Sequence, residues 1–421
     1  MLDESLKERI DAYRVLLLWQ REGTFIKESG LSPFAMEIAL GVCRRHLYLQ
    51  YFIKGLVSRF PSLEASTVLE MGLFQMFFMQ VPDYAAINSC VELVKSANLG
   101  DGAVRLVNAV LHAARRSGLP ALPAQRVRRV SIENSVPEWL VRRWFDIYGG
   151  DRAEALAKST LEHPVEWIRV NLQKVSAPAV AEKLGLVGAS ILYDRFIEVP
   201  RDTGLKRLLS SPEFSAGMFS LQNPSAFEVA KLLNVERGMS VWDACAAPGG
   251  KTALLAEMES SLDILASDSS PARLEKMNDL FGRLGLPNVR TECVDLLKDI
   301  PSQLESGKGP VKFDRILLDV PCSNLGVIAR RPESVYRLSP ESIKEIAELQ
   351  FKILENAASF LKPEGRLVYA TCSPDPIETT QVINRFVKAH PEFVKSGTPV
   401  LPGEKDPRFD GFFAQALERK K

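Results

Sequence analysis

Up to about residue 118, apolar positions recur three and four residues apart, the spacing that collects them on one face of a helix. The clearest run starts at Asp83, where Ile87, Val91 and Val94 share a face and Asp83, after Pro82, is the expected N-cap. Similar spacing predicts helices over residues 6–19, 34–57, 63–79 and 103–116. Short breaks at residues 30–33, 59–62 and 81–83 separate them, so a small helical bundle is expected.

Beyond Gly118 the pattern weakens. Residues 119–129 are rich in Pro, Ala and Arg and read as a linker. Residues 135–148 read as a helix, and 163–170 and 191–199 as strands, giving a small mixed α+β subdomain. From Gly217 onward, strand alternates with helix. Apolar strands fit residues 240–244, 264–267, 289–294, 313–318 and 366–370. Pro271 opens a helix through Leu274, Met277, Phe281 and Leu284 that Gly285 closes. Ser339-Pro340 caps a long helix carrying Ile343, Ile346, Leu349, Ile353 and Phe360. Such alternation predicts a parallel sheet with helices on both faces.

Ligands of such sheets gather outside the carboxyl ends of the strands. Asp243, Asp268, Asp295 and Asp319 arrive there. One such acid is an ordinary helix cap. Four at equivalent places point to a ligand with hydroxyls, amines and positive charge.

Composition bounds this picture. A chain of 421 residues calls for two or three domains. The first 21 residues scatter charges among apolar positions, unlike a signal peptide, and no apolar run would cross a bilayer, so a cytoplasmic protein with no membrane contact is expected. Six cysteines, at 43, 90, 245, 293, 322 and 372, form no CxxC pair; no metal site and reduced thiols are expected. Charge is balanced, 53 Lys and Arg against 52 Asp and Glu, so only local excess is informative. Between Gly102 and Ile132 no acid occurs, while Arg105, Arg115, Arg116, Arg126, Arg128 and Arg129 do. That stretch fits a phosphate-contacting surface and a solvated helix end with a charged linker equally well.

The segment Asp243-Ala-Cys-Ala-Ala-Pro-Gly-Gly-Lys-Thr252 admits two readings. Gly250-Lys251-Thr252 matches the tail of a phosphate-binding loop, with Asp319 as a magnesium-holding partner. Against it, Cys245 stands where that loop needs glycine, and Pro248 removes an N–H from the cradle. The other reading is a tight turn in which Gly249 and Gly250 admit a nucleoside ligand closely. Cys322 and Cys372 each follow a predicted core strand, where ligands bind, whereas Cys43, Cys90 and Cys293 fit inert packing. A thiolate there, near a cation such as Lys251, Arg330 or Arg331, would be a capable nucleophile.

Ala247-Pro-Gly-Gly-Lys-Thr252, Asp319-Val-Pro-Cys-Ser323 and Thr371-Cys-Ser373, in this order, resemble the RNA cytosine-C5 methyltransferase family. Tyr84-Ala-Ala-Ile-Asn88, residues 91–95 and Val107-Asn-Ala-Val-Leu111 resemble the NusB RNA-binding domain. The combination, with Asp410-Gly-Phe-Phe413, resembles Fmu/Sun-type bacterial enzymes that methylate small-subunit ribosomal RNA. The resemblance implies three domains: an all-α NusB-like bundle over 1–130, a small α+β connecting subdomain over 131–215, and an α/β Rossmann-like class I methyltransferase domain over 216–421.

It also implies roles. Cys372 would add to carbon 6 of cytosine, Asp319 would bond the N3 edge, and Cys322 would help remove the carbon-5 proton. S-adenosylmethionine would be held by Cys245, Ala246, Ala247, Pro248, Gly249, Gly250 and Lys251, with Asp268 on the ribose, Asp295 near the adenine amine and Asp319 alongside. The implied partner is ribosomal RNA, with no oligomer expected.

Departures from the family pattern are specific. Pro374-Asp-Pro-Ile-Glu378 keeps only the second of two usual acids. Gln222-Asn-Pro-Ser-Ala-Phe227 has Asn223 for an acid and Phe227 for an amide, and Asn324 and Leu325 replace small residues. The alternatives are a P-loop ATPase or kinase and a non-catalytic RNA-binding protein. Binding of S-adenosylmethionine rather than ATP separates the first, and the intact cysteine pair speaks against the second.

Overall fold

A computed structural model describes residues 4–298, 300, 312–401, 403 and 406–420. Backbone contacts divide the chain into two units, Met1–His163 with Ile328–Leu338, and Pro164–Val327 with Ser339–Lys421.

The first unit is helical: α1 (Glu4–Glu22), α2 (Pro33–Arg44), α3 (His46–Leu56), α4 (Leu63–Phe78), α5 (Asp83–Ser96), α6 (Asp101–Ser117), α7 (Arg126–Asn134), α8 (Glu138–Tyr148) and α9 (Gly150–Ser159). Every residue of α4 from Ala65 to Met76 is buried, polar Ser66, Thr67, Glu70 and Gln75 included, so it is the central helix, buried all round rather than on one stripe. Leu16, Trp19, Ile38, Val42, Phe52, Leu73 and Leu111 belong to the same core. The single helix predicted over 34–57 is two, because Arg45 leaves helical geometry at φ −116°. Pro82, not Asp83, holds the N-cap position; Asp83 is the first helical residue and pairs with Arg115 at 3.2 Å. Part of the expected linker is helical as well. Arg126 opens α7 and pairs with Asp151 and Glu154 of α9, and Arg129 lies 3.8 Å from Glu154.

The segment Ile328–Leu338 is bound within this unit. Tyr336 donates its hydroxyl to the carbonyls of Ser135 (2.8 Å) and Cys43 (3.2 Å), and its ring meets Trp19 and His46 edge-on.

The second unit holds two sheets. A small antiparallel one, order β2-β3-β1-β4, comprises β1 (Glu166–Val170), β2 (Ile191–Leu192), β3 (Phe196–Val199) and β4 (Phe219–Leu221). The large sheet has the order β10-β11-β9-β8-β5-β6-β7, formed by β5 (Ser240–Asp243), β6 (Asp263–Asp268), β7 (Val289–Cys293), β8 (Phe313–Asp319), β9 (Leu361–Thr371), β10 (Phe393–Val400) and β11 (Phe413–Arg419). Strands β5 to β9 are parallel, but β11 runs antiparallel to β9 and β10 antiparallel to β11, so the expected parallel sheet is mixed. Period-two alternation decides both faces: Trp242, Ile316 and Leu318 enter one core, Val241, Ile264 and Leu317 the other. From β5 the sheet grows to β6 and β7 on one side and to β8 and β9 on the other. The order therefore reverses between β5 and β8, which opens a crevice at their carboxyl ends.

The caps expected at Ser339 and Gly285 hold, unlike that at Asp83. Ser339 and Ser342 form a reciprocal capping box for the helix Pro340–Ala358, and Gly285 ends Pro271–Leu284 at φ 72°. Among the described residues, no helix is long and apolar enough to cross a membrane and no group of side chains could hold a metal ion.

Candidate functional site

The crevice is walled first by the turn after β5. A cis Ala247–Pro248 peptide and Gly249, at φ 94°, carry the chain into the helix Gly250–Met258. Gly249 requires its glycine by its dihedral, and a Cβ there would also crowd the Phe281 ring at 3.0 Å. The Ala246 N–H donates to Ser267 of β6 at 2.8 Å, which ties the turn to the neighbouring strand.

Two groups that would serve a triphosphate are committed elsewhere. Lys251 pairs with Asp319 at 2.6 Å, and the Thr252 hydroxyl donates to Asp243 at 2.6 Å. With Pro248 supplying no N–H, the nucleoside reading of this turn fits the structure better than the polyphosphate reading. Its chemistry suits S-adenosylmethionine: backbone open to close approach, with acids at the adjoining strand ends.

Those acids differ in state. Asp243 is buried, and among the described residues its Oδ1 has no partner. Burial, reinforced by the charges of Asp319 and Asp268 and opposed by Thr252 and Lys251, pushes its carboxyl up to about 7. Asp268 ends β6, accepts from the Ser270 N–H at 3.0 Å and pairs with Arg273 at 3.2 Å. Arg273 also donates to the Ala247 carbonyl at 2.9 Å, so Asp268 and the turn share one partner. Asp295 lies two residues past β7; the Leu297 N–H and Lys298 hold its carboxyl below the usual range. Cys245 is driven the other way. Burial and the acids at 243, 319 and 268 push its thiol well up, which favours the protonated form over a thiolate.

The other wall is built from two cysteine turns. Asp319 and Ala370 are opposite one another in the β8–β9 ladder, so Cys322 and Cys372 leave neighbouring strand ends. Their Cα atoms are 6.4 Å apart and their sulfurs are in contact, whereas six separate thiols were expected. Glu378 fixes both turns from beneath. It accepts from the Ser323 N–H (2.9 Å) and hydroxyl and from the Ser373 hydroxyl (2.6 Å), while Gln350 donates to it at 3.2 Å. Burial pushes its carboxyl up, and these donors oppose the shift. Gly326 donates to the Cys372 carbonyl at 2.8 Å and accepts from the Gly411 N–H at 2.9 Å; a Cβ at Gly326 would lie 1.7 Å from the Gly411 oxygen.

Several sequence expectations change here. Lys251 is the partner of Asp319 rather than a free cation beside a thiol, and Arg330 and Arg331 belong to the helical unit's segment, with Arg331 over Phe25. Asn223 caps Ser225 and braces the segment before β11 through the Asp410 N–H and the Arg408 carbonyl. Phe227 packs on Tyr193 and Phe196, with Arg195 and Lys231 over its ring. Sequence reasoning missed Arg169. It is buried on β1, pairs with Glu257 at 2.7 Å, donates to the Gly250 carbonyl at 2.8 Å and also bonds Gln222. A charged residue inside the apolar strand Trp167-Ile-Arg-Val170 was the available signal.

Three family descriptions match the chain: "16S rRNA methyltransferase RsmB/F" over residues 230–408, "NusB family" over 7–116, and "Methyltr_RsmF/B-like, ferredoxin-like domain" over 136–192. The chain is 31% identical to the probable ribosomal RNA small subunit methyltransferase B of Bacillus subtilis, over 98% of this chain and 96% of that one. The chain belongs to this methyltransferase family. Ribosomal RNA small subunit methyltransferase B of Klebsiella pneumoniae is 32% identical over 91% of this chain and 89% of its own. The solved structure of PH0851 superposes with a TM-score of 0.80 at 24% identity, covering 99% of this chain and all of that one, a likeness of fold. The methyl donor of the family is S-adenosylmethionine.

Proposed function

We propose that the chain methylates carbon 5 of a cytosine in small-subunit ribosomal RNA through a covalent adduct on Cys372. The observation that carries this reading is the meeting of Cys322 and Cys372 at neighbouring strand ends, one turn beyond Asp319. Carbon 5 of cytosine is a weak nucleophile until carbon 6 is attacked. The Cys372 thiolate gives its electron pair to carbon 6, and the carbon-5/carbon-6 π pair moves into the ring toward N3. Asp319 would bond the base at its N3 edge, and the Lys251 ammonium, 2.6 Å from it, offsets the negative charge that develops on the ring. Residues 245–251, Asp268 and Asp295 would hold S-adenosylmethionine, whose electrophilic methyl group would be taken by carbon 5 as the ring pair returns from N3 through carbon 4, the sulfonium sulfur keeping the pair of the broken bond. Cys322 then takes the carbon-5 proton. That C–H pair restores the double bond, the sulfur–carbon-6 bond breaks, and Cys372 leaves as thiolate. The base has to leave its stack to reach two sulfurs at the base of a crevice.

Cys372→Ala is expected to abolish transfer of labelled methyl to the RNA while calorimetry still detects donor binding. Cys322→Ala is expected to trap an RNA–protein adduct stable on a denaturing gel. Identical behaviour of the two variants, or activity in Cys372→Ala, refutes the assignment. Calorimetric binding of ATP in place of S-adenosylmethionine would return the P-loop reading.

A further inference from the structure

Asn324 adopts φ +62°, a left-handed conformation that few residues other than glycine and asparagine tolerate. Its side chain lies beside the two cysteines, nearer Cys372. Its Oδ1 lies 3.1 Å from the Cys372 sulfur and 4.0 Å from that of Cys322. Its Nδ2 meets the Cys322 carbonyl at 3.5 Å, the outer limit of a hydrogen bond. A half-turn of the terminal amide exchanges acceptor for donor at the sulfur and gives up only that weak contact. Lys251, the cation expected to stabilise a thiolate here, is bound to Asp319. A neutral amide is the group in place at Cys372.

We propose that Asn324 is a positioning residue for Cys372. With the cysteine pair reduced, its oxygen accepts from the Cys372 thiol; when the S–H bond ionises, the proton passes to solvent, the pair stays on sulfur, and the turned amide donates an N–H to the thiolate. The same contact distinguishes the cysteines, because Cys322 lies beyond good hydrogen-bond reach. This rests on Cys372 being the nucleophile.

The test follows alkylation of the full-length, freshly reduced protein by iodoacetamide across pH, with mass spectrometry reading Cys372 and Cys322 separately. In Asn324→Gly, which keeps the left-handed backbone, the Cys372 midpoint is expected to rise by about one unit, about tenfold less thiolate at neutral pH. In Asn324→Asp the isosteric carboxylate repels the thiolate, so the rise is larger. The Cys322 midpoint moves less in both, and the acid limb of the methyl-transfer rate follows that of Cys372. A Cys372 midpoint that stays or falls in Asn324→Gly overturns the proposal, since the amide would then serve only the protonated thiol. Unchanged melting and donor binding confirm that the variants fold. Alkylation needs neither RNA nor donor. A shifted midpoint in a protein whose Cys372→Ala variant still methylates therefore refutes Cys372 attack and leaves the Asn324–Cys372 pairing standing.

Discussion

Asp243 ends its strand with one oxygen bonded to Thr252 and the other without a partner among the described residues, so its neutral form is favoured in the folded state. With its folded value near 7 against an ordinary 3.8, it contributes stability that is complete below about 3.8 and lost as pH rises through about 7. Asp243→Asn stays neutral. Melting curves between pH 4 and 7 should therefore show the variant gaining on the native protein as pH rises; parallel curves would mean that Asp243 ionises normally. Asp243 was legible as an acid at a strand end, but its protonation was not, because that depends on burial and on Asp319 and Asp268 arriving from other strands. Glu378 is a similar case. The sequence offered it as one acid after Thr-Cys-Ser, and only folding shows it joining both cysteine turns.

At the scale of elements, β1 and the helix Gly250–Met258 are joined by Arg169 and Glu257, each with a side chain 1% exposed. Arg169→Met leaves the Glu257 carboxylate buried without its cation, and urea unfolding should show a loss of roughly 3–5 kcal/mol. Replacing both residues by apolar ones should recover much of that. The single variant should also weaken donor binding, because the Gly250 carbonyl loses its donor. Gly326→Ala meets backbone that cannot move aside, the Gly411 oxygen, so activity should fall sharply although the Gly326 dihedral suits alanine. Periodicity found the parallel strands and the long helices. It missed the two-strand extension β10–β11 and the three-residue β4, because β10 is largely exposed, Phe413–Leu417 of β11 are buried on both faces, and neither that nor a three-residue strand leaves alternation to read.

For the whole molecule, the arginine-rich stretch from 102 to 132 resolves into two kinds of surface. Arg126 and Arg129 face acids of α9 and Arg115 faces Asp83, whereas Arg105 and Arg116 on the exposed side of α6 have no ion pair among the described residues. If RNA is held here, Arg105→Gln with Arg116→Gln should lower the slope of log affinity against log salt by roughly one per arginine contact. Arg126→Gln with Arg129→Gln should leave that slope alone and instead loosen α7 on α9, seen as a lower melting temperature. Equal effects of both pairs on the slope would extend the RNA-contacting surface to residues 126–129.

By itself the sequence determined what is local and periodic: the long helices and the parallel strands, which turns need glycine or proline, and which motifs place cysteines and acids at strand ends. These follow from side-chain spacing and backbone chemistry carried by neighbouring residues. Only the tertiary structure decided what those groups do to one another: Lys251 neutralised by Asp319, Cys372 beside Asn324, Arg169 beneath the glycine turn, and the sheet closed by antiparallel strands. Each joins residues tens of positions apart, and charge, proton affinity and hydrogen bonding depend on distance in space, which spacing along the chain does not carry.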